Sequence, residues 1–181
     1  MSKTKAFRLL IALCFLALTV LQSFHMSRFF NLTMLGDIAL LPGLALTLLG
    51  VLLAARWLTI TGSAVNMMAS FMMLGILAVQ AVMILQSGYP IPQRIITEAV
   101  KGGLFFLTWV FLFVGSINLK RTKVMGFLAL FFAAARLVYT IVTTSITSMN
   151  GGRAYAEAIL LIPLTLLIGI CPRAFARKRA R

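Results

Sequence analysis

Polar residues are rare along this chain, and where they fall divides it into six apolar runs. Charged or turn-forming clusters separate runs at about 6–24, 36–57, 62–86, 95–118, 124–147 and 154–171. Each run is 18 to 25 residues long, and about 20 apolar residues in helical form cross a bilayer core of about 30 Å. The runs are continuously apolar, without the alternating polarity of transmembrane strands. The pattern predicts an all-α, polytopic membrane bundle of six transmembrane helices in a single domain over residues 1–181.

The separators have turn chemistry. SGYPIPQR (87–94) carries a glycine and two prolines, which break a helix. TITGS (59–63) reads as a tight connection, and SMNGGR (148–153) as the last loop. Pro42 lies early in its run, where a missing N–H costs least, and Pro163 lies near the middle of its own, where it predicts a kink. The head MSKTKAFR followed by an apolar run resembles a signal peptide. No small-x-small cleavage site follows it, so residues 6–24 read as an uncleaved signal anchor. Arg56 and Trp57 read as the interfacial anchors that end the second run.

Composition agrees with the pattern. Apolar residues make up 61% of the chain, and only 17 basic and three acidic residues carry charge. That is too little charge to solubilise so apolar a surface, which makes lipid the solvent for most side chains. The net charge of +14 raises nucleic acid as a partner. The basic residues sit at the ends of the runs rather than on one soluble face, which argues for topology signals and lipid headgroup contacts instead.

With six spans both termini lie on one side. That side holds twelve basic residues: Lys3, Lys5, Arg8, Arg56, Lys120, Arg121, Lys123, Arg173, Arg177, Lys178, Arg179 and Arg181. The other side holds four, Arg28, Arg94, Lys101 and Arg153. The bias predicts cytoplasmic termini, and the short loops suggest a bacterial inner membrane. Asp37, Glu98 and Glu157 each open an outward-starting run, where carboxylates suit the positive end of a helix dipole. RIITEAV (94–100) and RAYAEAI (153–159) share an Arg-xxx-Glu-Ala pattern that places both charges on one helix face.

Arg136 departs from this plan. It follows Lys123 by 13 residues, roughly 20 Å along a helix, so its guanidinium falls inside the apolar slab. Tyr139, Thr140, Thr143, Thr144, Thr147 and Ser148 continue a polar face from it. Ionisable groups at that depth face the bundle interior and take a partner. Three readings follow: an ion pair with Glu157 or Glu98, a site for a small anionic molecule, or a contact with a lipid headgroup or another subunit. On the second reading the ligand-binding candidates are Arg136, Tyr139, Glu98, Glu157 and Gln80. Asn66, Ser70 and Gln80 align on the 62–86 run, read as hydrogen-bonding glue between helices and turned toward the interior, in the direction of the 124–147 run.

The remaining chemistry is sparse. Met68 and Met72 have the spacing of a thioether pair but no His or Cys support for copper, and methionine packs well in apolar cores. His25 is the only histidine, and Cys14 and Cys171 have no partner motif, so neither metal, haem nor a disulfide framework is indicated. No HExxH, GxSxG, Gly-rich phosphate loop, Cys/His pair or paired in-membrane aspartates appear. Ala129/Ala133 and Ala154/Ala158 allow close helix approach. The expectation is a non-catalytic membrane protein without cofactor: a small-molecule binding or transport subunit with an outward-facing polar site near Arg136, or an accessory subunit of a larger complex. Its partners would be lipids, further membrane subunits and a small anion.

Overall fold

The computed structural model describes residues 34–53, 55–118 and 122–143, together with positions 158, 159, 161, 162 and 165. The expected signal anchor, His25, both cysteines, Glu157, Pro163 and the basic tail lie outside these residues. Four long helices follow in order: α1 (Met34–Leu53), α2 (Arg56–Gln86), α3 (Gln93–Ile117) and α4 (Thr122–Thr143). The isolated positions between 158 and 165 are helical too, so every element among the described residues is an α-helix. Three helices are long and apolar enough to cross a membrane: Arg56–Gln86, Gln93–Ile117 and Lys123–Thr143.

Consecutive helices pack side by side and antiparallel. Along the first pair Gly43 meets Asn66, Thr47 meets Gly62, and Gly50 meets Thr59. Arg56 reaches Ser116 and Ile117, and Phe71 lies on Phe106, which fixes the second pair. Phe111 stacks on Phe132 and Phe105 lies under Arg136, which fixes the third. An up-and-down order of this kind follows from short connections between apolar helices.

The join between α1 and α2 differs from the sequence reading. TITGS is not a connection: Thr59 to Ser63 lie in the second turn of α2, and Arg56 is the first residue of that helix rather than the end of the one before. Alanines at 54 and 55 are strong helix formers, so no local signal marks the break. The break is set by tertiary contacts. The Arg56 Nε donates to Ser116 O at 3.0 Å and Nη2 to Ile117 O at 2.7 Å. One guanidinium thus satisfies carbonyls at the end of α3 and meets the negative pole of its dipole.

The α2–α3 connection is legible in detail. Gly88, at φ 77°, takes the left-handed conformation that ends a helix. Its N–H donates to Leu85 O at 3.0 Å, and Tyr89 N–H donates to Ile84 O at 3.3 Å. These two bonds form a Schellman motif, after which Pro90 and Pro92 prevent further helix. Pro42, by contrast, lies in the third turn of a helix that continues through it.

The core lies where the helices converge on Trp109. Leu44, Trp109, Leu112, Ala129, Ala133 and Leu161 are buried together, with Met67, Phe105, Phe111 and Ile162 against them. Leu161 brings the last described segment into the same core. Outside it, apolar side chains are exposed as lipid-facing residues should be: Phe71, Met83, Phe131 and Val142 are each more than half exposed. Met68 is also mainly exposed and Met72 less so, which gives the pair a place among these lipid-facing residues.

Candidate functional site

α4 buries Ala129, Ala133, Arg136 and Thr140, a seven-residue repeat of four and three that keeps one face inward. The two alanines let α3 approach, and Arg136 takes the next place on that face, with 9% of its surface exposed. Its Cζ lies 4.5 Å from the centre of the Phe105 ring, an attractive cation–π geometry whose value rises as water is excluded. Arg136 has at least one further interaction beyond the ring. Phe105 is the midpoint of α3, twelve residues from Gln93 and twelve from Ile117. The guanidinium therefore lies near mid-length of a helix long and apolar enough to cross a membrane.

On α3 the buried face runs through Lys101, Thr108, Trp109 and Leu112, with Phe105 half-buried among them. Lys101 is one turn from Phe105, is 7% exposed, and pairs with Glu98 at 3.2 Å. Two basic side chains thus point inward on neighbouring helices within about one helical turn of each other. Glu98 serves Lys101 from a half-exposed position rather than serving Arg136.

A second polar group lies deeper. Ser63 and Asn66 on α2 and Trp109 on α3 are fully buried. Among the described residues the Ser63 hydroxyl, both ends of the Asn66 carboxamide and the Trp109 indole N–H have no hydrogen-bond partner. Leaving such a group buried and unsatisfied costs about 1–3 kcal/mol. The neighbouring hydroxyls differ, because each donates to its own helix. Ser70 donates to Asn66 O at 2.6 Å, Thr47 to Gly43 O at 2.7 Å, Thr108 to Leu104 O at 2.8 Å and Thr140 to Arg136 O at 2.8 Å. This back-bonding is the usual way a helix accommodates a buried hydroxyl.

The expected helix-to-helix glue is therefore of another kind. Among the described residues Asn66 and Ser70 make no side-chain hydrogen bond across helices, and Asn66 faces α1. Its carboxamide fills the notch at Gly43. A methyl carbon placed on Gly62 would stand 2.6 Å from Thr47 N and 2.8 Å from Gly43 O. One placed on Gly50 would stand 2.6 Å from Thr59 N. The pair is held by backbone approach between small residues, the route open to helices in lipid, where apolar burial between helices gains little.

Of the sequence candidates, Arg136 is buried and Tyr139 half-buried three residues along the same helix. Gln80 is also half-buried, but it lies some ten residues, roughly 15 Å, beyond the level of Arg136 on α2. Glu98 sits near the N-terminal end of α3 with Lys101, and Glu157 is outside the described residues. Sequence reasoning passed over Ser63, Lys101, Phe105 and Trp109. Small residues at Gly43, Thr47, Gly50 and at Thr59, Gly62, Asn66 did carry a signal, a spacing of three and four on both runs. No protein-family model, curated protein or solved structure matches the chain.

Proposed function

We propose that the chain is a non-catalytic subunit of a bacterial inner membrane that captures or passes a small anionic molecule at Arg136. In this reading six spans place both termini in the cytoplasm, and the polar site opens toward the outer face. The observation that carries it is the burial of Arg136 at mid-length, against an aromatic face, with Lys101 one turn nearer the outer end. A guanidinium costs a few kcal/mol at the centre of a spanning helix, and such residues mark ligand and ion pathways. Its planar fork suits a carboxylate.

The test is thermal unfolding of the full chain in mild detergent against short carboxylates and inorganic phosphate. The proposal expects a rise in midpoint with one of these anions in the wild type and none in Arg136→Gln. Identical curves with and without every anion would remove it. A second reading, an accessory subunit of a larger complex, is favoured by the outer half of α2. There Phe71, Met72, Val79, Val82 and Met83 are exposed relative to the described residues. Isolation as a lone, stable monomer at native expression levels contradicts that reading.

A further inference from the structure

At one end of the bundle the described residues carry positive charge and no acid. Arg56 opens α2, Ile117 ends α3 and Lys123 lies in the first turn of α4. Phe111 meets Phe132 and Phe105 lies under Arg136, so the register sets residue 123 level with 118–120. Arg56 reaches 116 and 117 from the other helix packed on α3. The two cations therefore stand at one level, on the two helices that flank the end of α3. The chain has three acids. Asp37 lies in the first turn of α1 and Glu98 in the second turn of α3, both toward the opposite end, and Glu157 is outside the described residues.

The Arg56 guanidinium has donors to spare. Nε and Nη2 bond to the carbonyls of Ser116 and Ile117, while Nη1 makes no hydrogen bond among the described residues. The two bonds hold the planar fork in place, so a further charge-assisted bond from Nη1 needs little extra ordering. Lys123 is exposed and has no partner among the described residues. Around these cations the surface is apolar: Leu53, Trp57, Ile117 and Val124 are each half or more exposed. Trp57 adjoins Arg56, and an indole suits the level of lipid headgroups.

From this arrangement we infer that the end of the bundle at Arg56 and Lys123 is a site for an anionic phospholipid. Arg56 Nη1 and Lys123 Nζ meet the headgroup, and the acyl chains run along Leu53, Ile117 and Val124. Charge sets the lipid class, because basic groups between the ends of spanning helices select net-negative headgroups. Phosphatidylglycerol meets two cations there and no carboxylate of the described residues, whereas the choline of phosphatidylcholine brings a third cation. The apolar surroundings favour a lipid over free phosphate, which gains nothing from them. This site is separate from Arg136 and does not rest on the reading of that residue.

The experiment uses the protein's own fluorescence. The chain has two tryptophans, and Trp109 is fully buried while Trp57 is exposed beside Arg56, so quenching by lipid reports on Trp57. The full chain is reconstituted in phosphatidylcholine vesicles containing a rising fraction of brominated phosphatidylglycerol or, separately, brominated phosphatidylcholine. The wild type is expected to prefer phosphatidylglycerol at least about tenfold, since each basic residue at an anionic surface contributes about fivefold. Lys123→Gln should cut the preference about fivefold. Arg94→Gln, which removes the same charge near the opposite end, should leave it unchanged. Equal quenching by the two lipids, or none by either, would overturn the inference. Equal falls in Lys123→Gln and Arg94→Gln would show general surface charge rather than a site, and would overturn it too. A preference abolished by millimolar inorganic phosphate at constant ionic strength would assign the anion to solution and overturn the lipid.

Discussion

Two interfaces in this bundle solve the same problem by opposite means. Between α1 and α2 the helices approach until backbone nearly touches backbone, with glycine at 43, 50 and 62 providing the space. Between α3 and α4 the contact is made largely by rings, with Phe111 flat on Phe132 at 5.4 Å and Phe105 under Arg136. The first interface is intolerant of added volume and the second of lost volume. Polar groups follow the same division. The glycine-lined interface buries a carboxamide without a hydrogen bond among the described residues, whereas the ring-lined one holds a cation on a ring. In lipid both are needed, since packing rather than water exclusion draws helices together.

This contrast can be broken by substitution, with unfolding of the full chain in detergent as the measurement. The largest effect is expected at Gly62. A leucine there collides with the backbone of α1 and should cost at least about 3 kcal/mol, at the upper end of overpacking effects. A Gly62→Leu variant of near wild-type stability would refute the close approach. Next, Phe132→Ala should cost about 2–3 kcal/mol, below the full value for a buried phenylalanine because the ring is only half-buried. Phe132→Leu should lose less than about 1.5 kcal/mol.

Arg56→Ala should cost about 1–2 kcal/mol, by leaving the end of α3 without its charged donor. Arg56→Lys should recover only part of this, since one ammonium cannot reproduce the two-pronged geometry. The smallest effect is expected at Gly75, where an added methyl meets nothing within 4 Å. Gly75→Ala should be neutral or stabilising by up to about 1 kcal/mol, through helix propensity. A large loss there would mean that another surface covers that face of α2.

What the sequence could disclose follows the range of the forces involved. The turn at 87–92 was readable because Gly88 and two prolines act locally: α2 ends at Gln86 as expected, and α3 begins at Gln93, two residues before the expected start. The break before Arg56 was not readable. Its cause lies sixty residues away at Ser116, and alanine gives no sign of it. Arg136 stood out because a charge within an apolar run is conspicuous in one dimension. Phe105 and Trp109 did not, since among fourteen phenylalanines and two tryptophans nothing local says which ring meets the cation. Asn66 was noticed as polar, but its role was misassigned, because glycine opposite it on α1 is invisible from α2 alone.

The measurement that bears most directly on the account is native mass spectrometry of the tagged full chain, drawn from its own membrane in mild detergent. The account predicts a small anionic adduct on the wild-type chain, alone or within a complex, that is lost in Arg136→Gln. A chain free of adduct in both forms, or an adduct retained by Arg136→Gln, would contradict it.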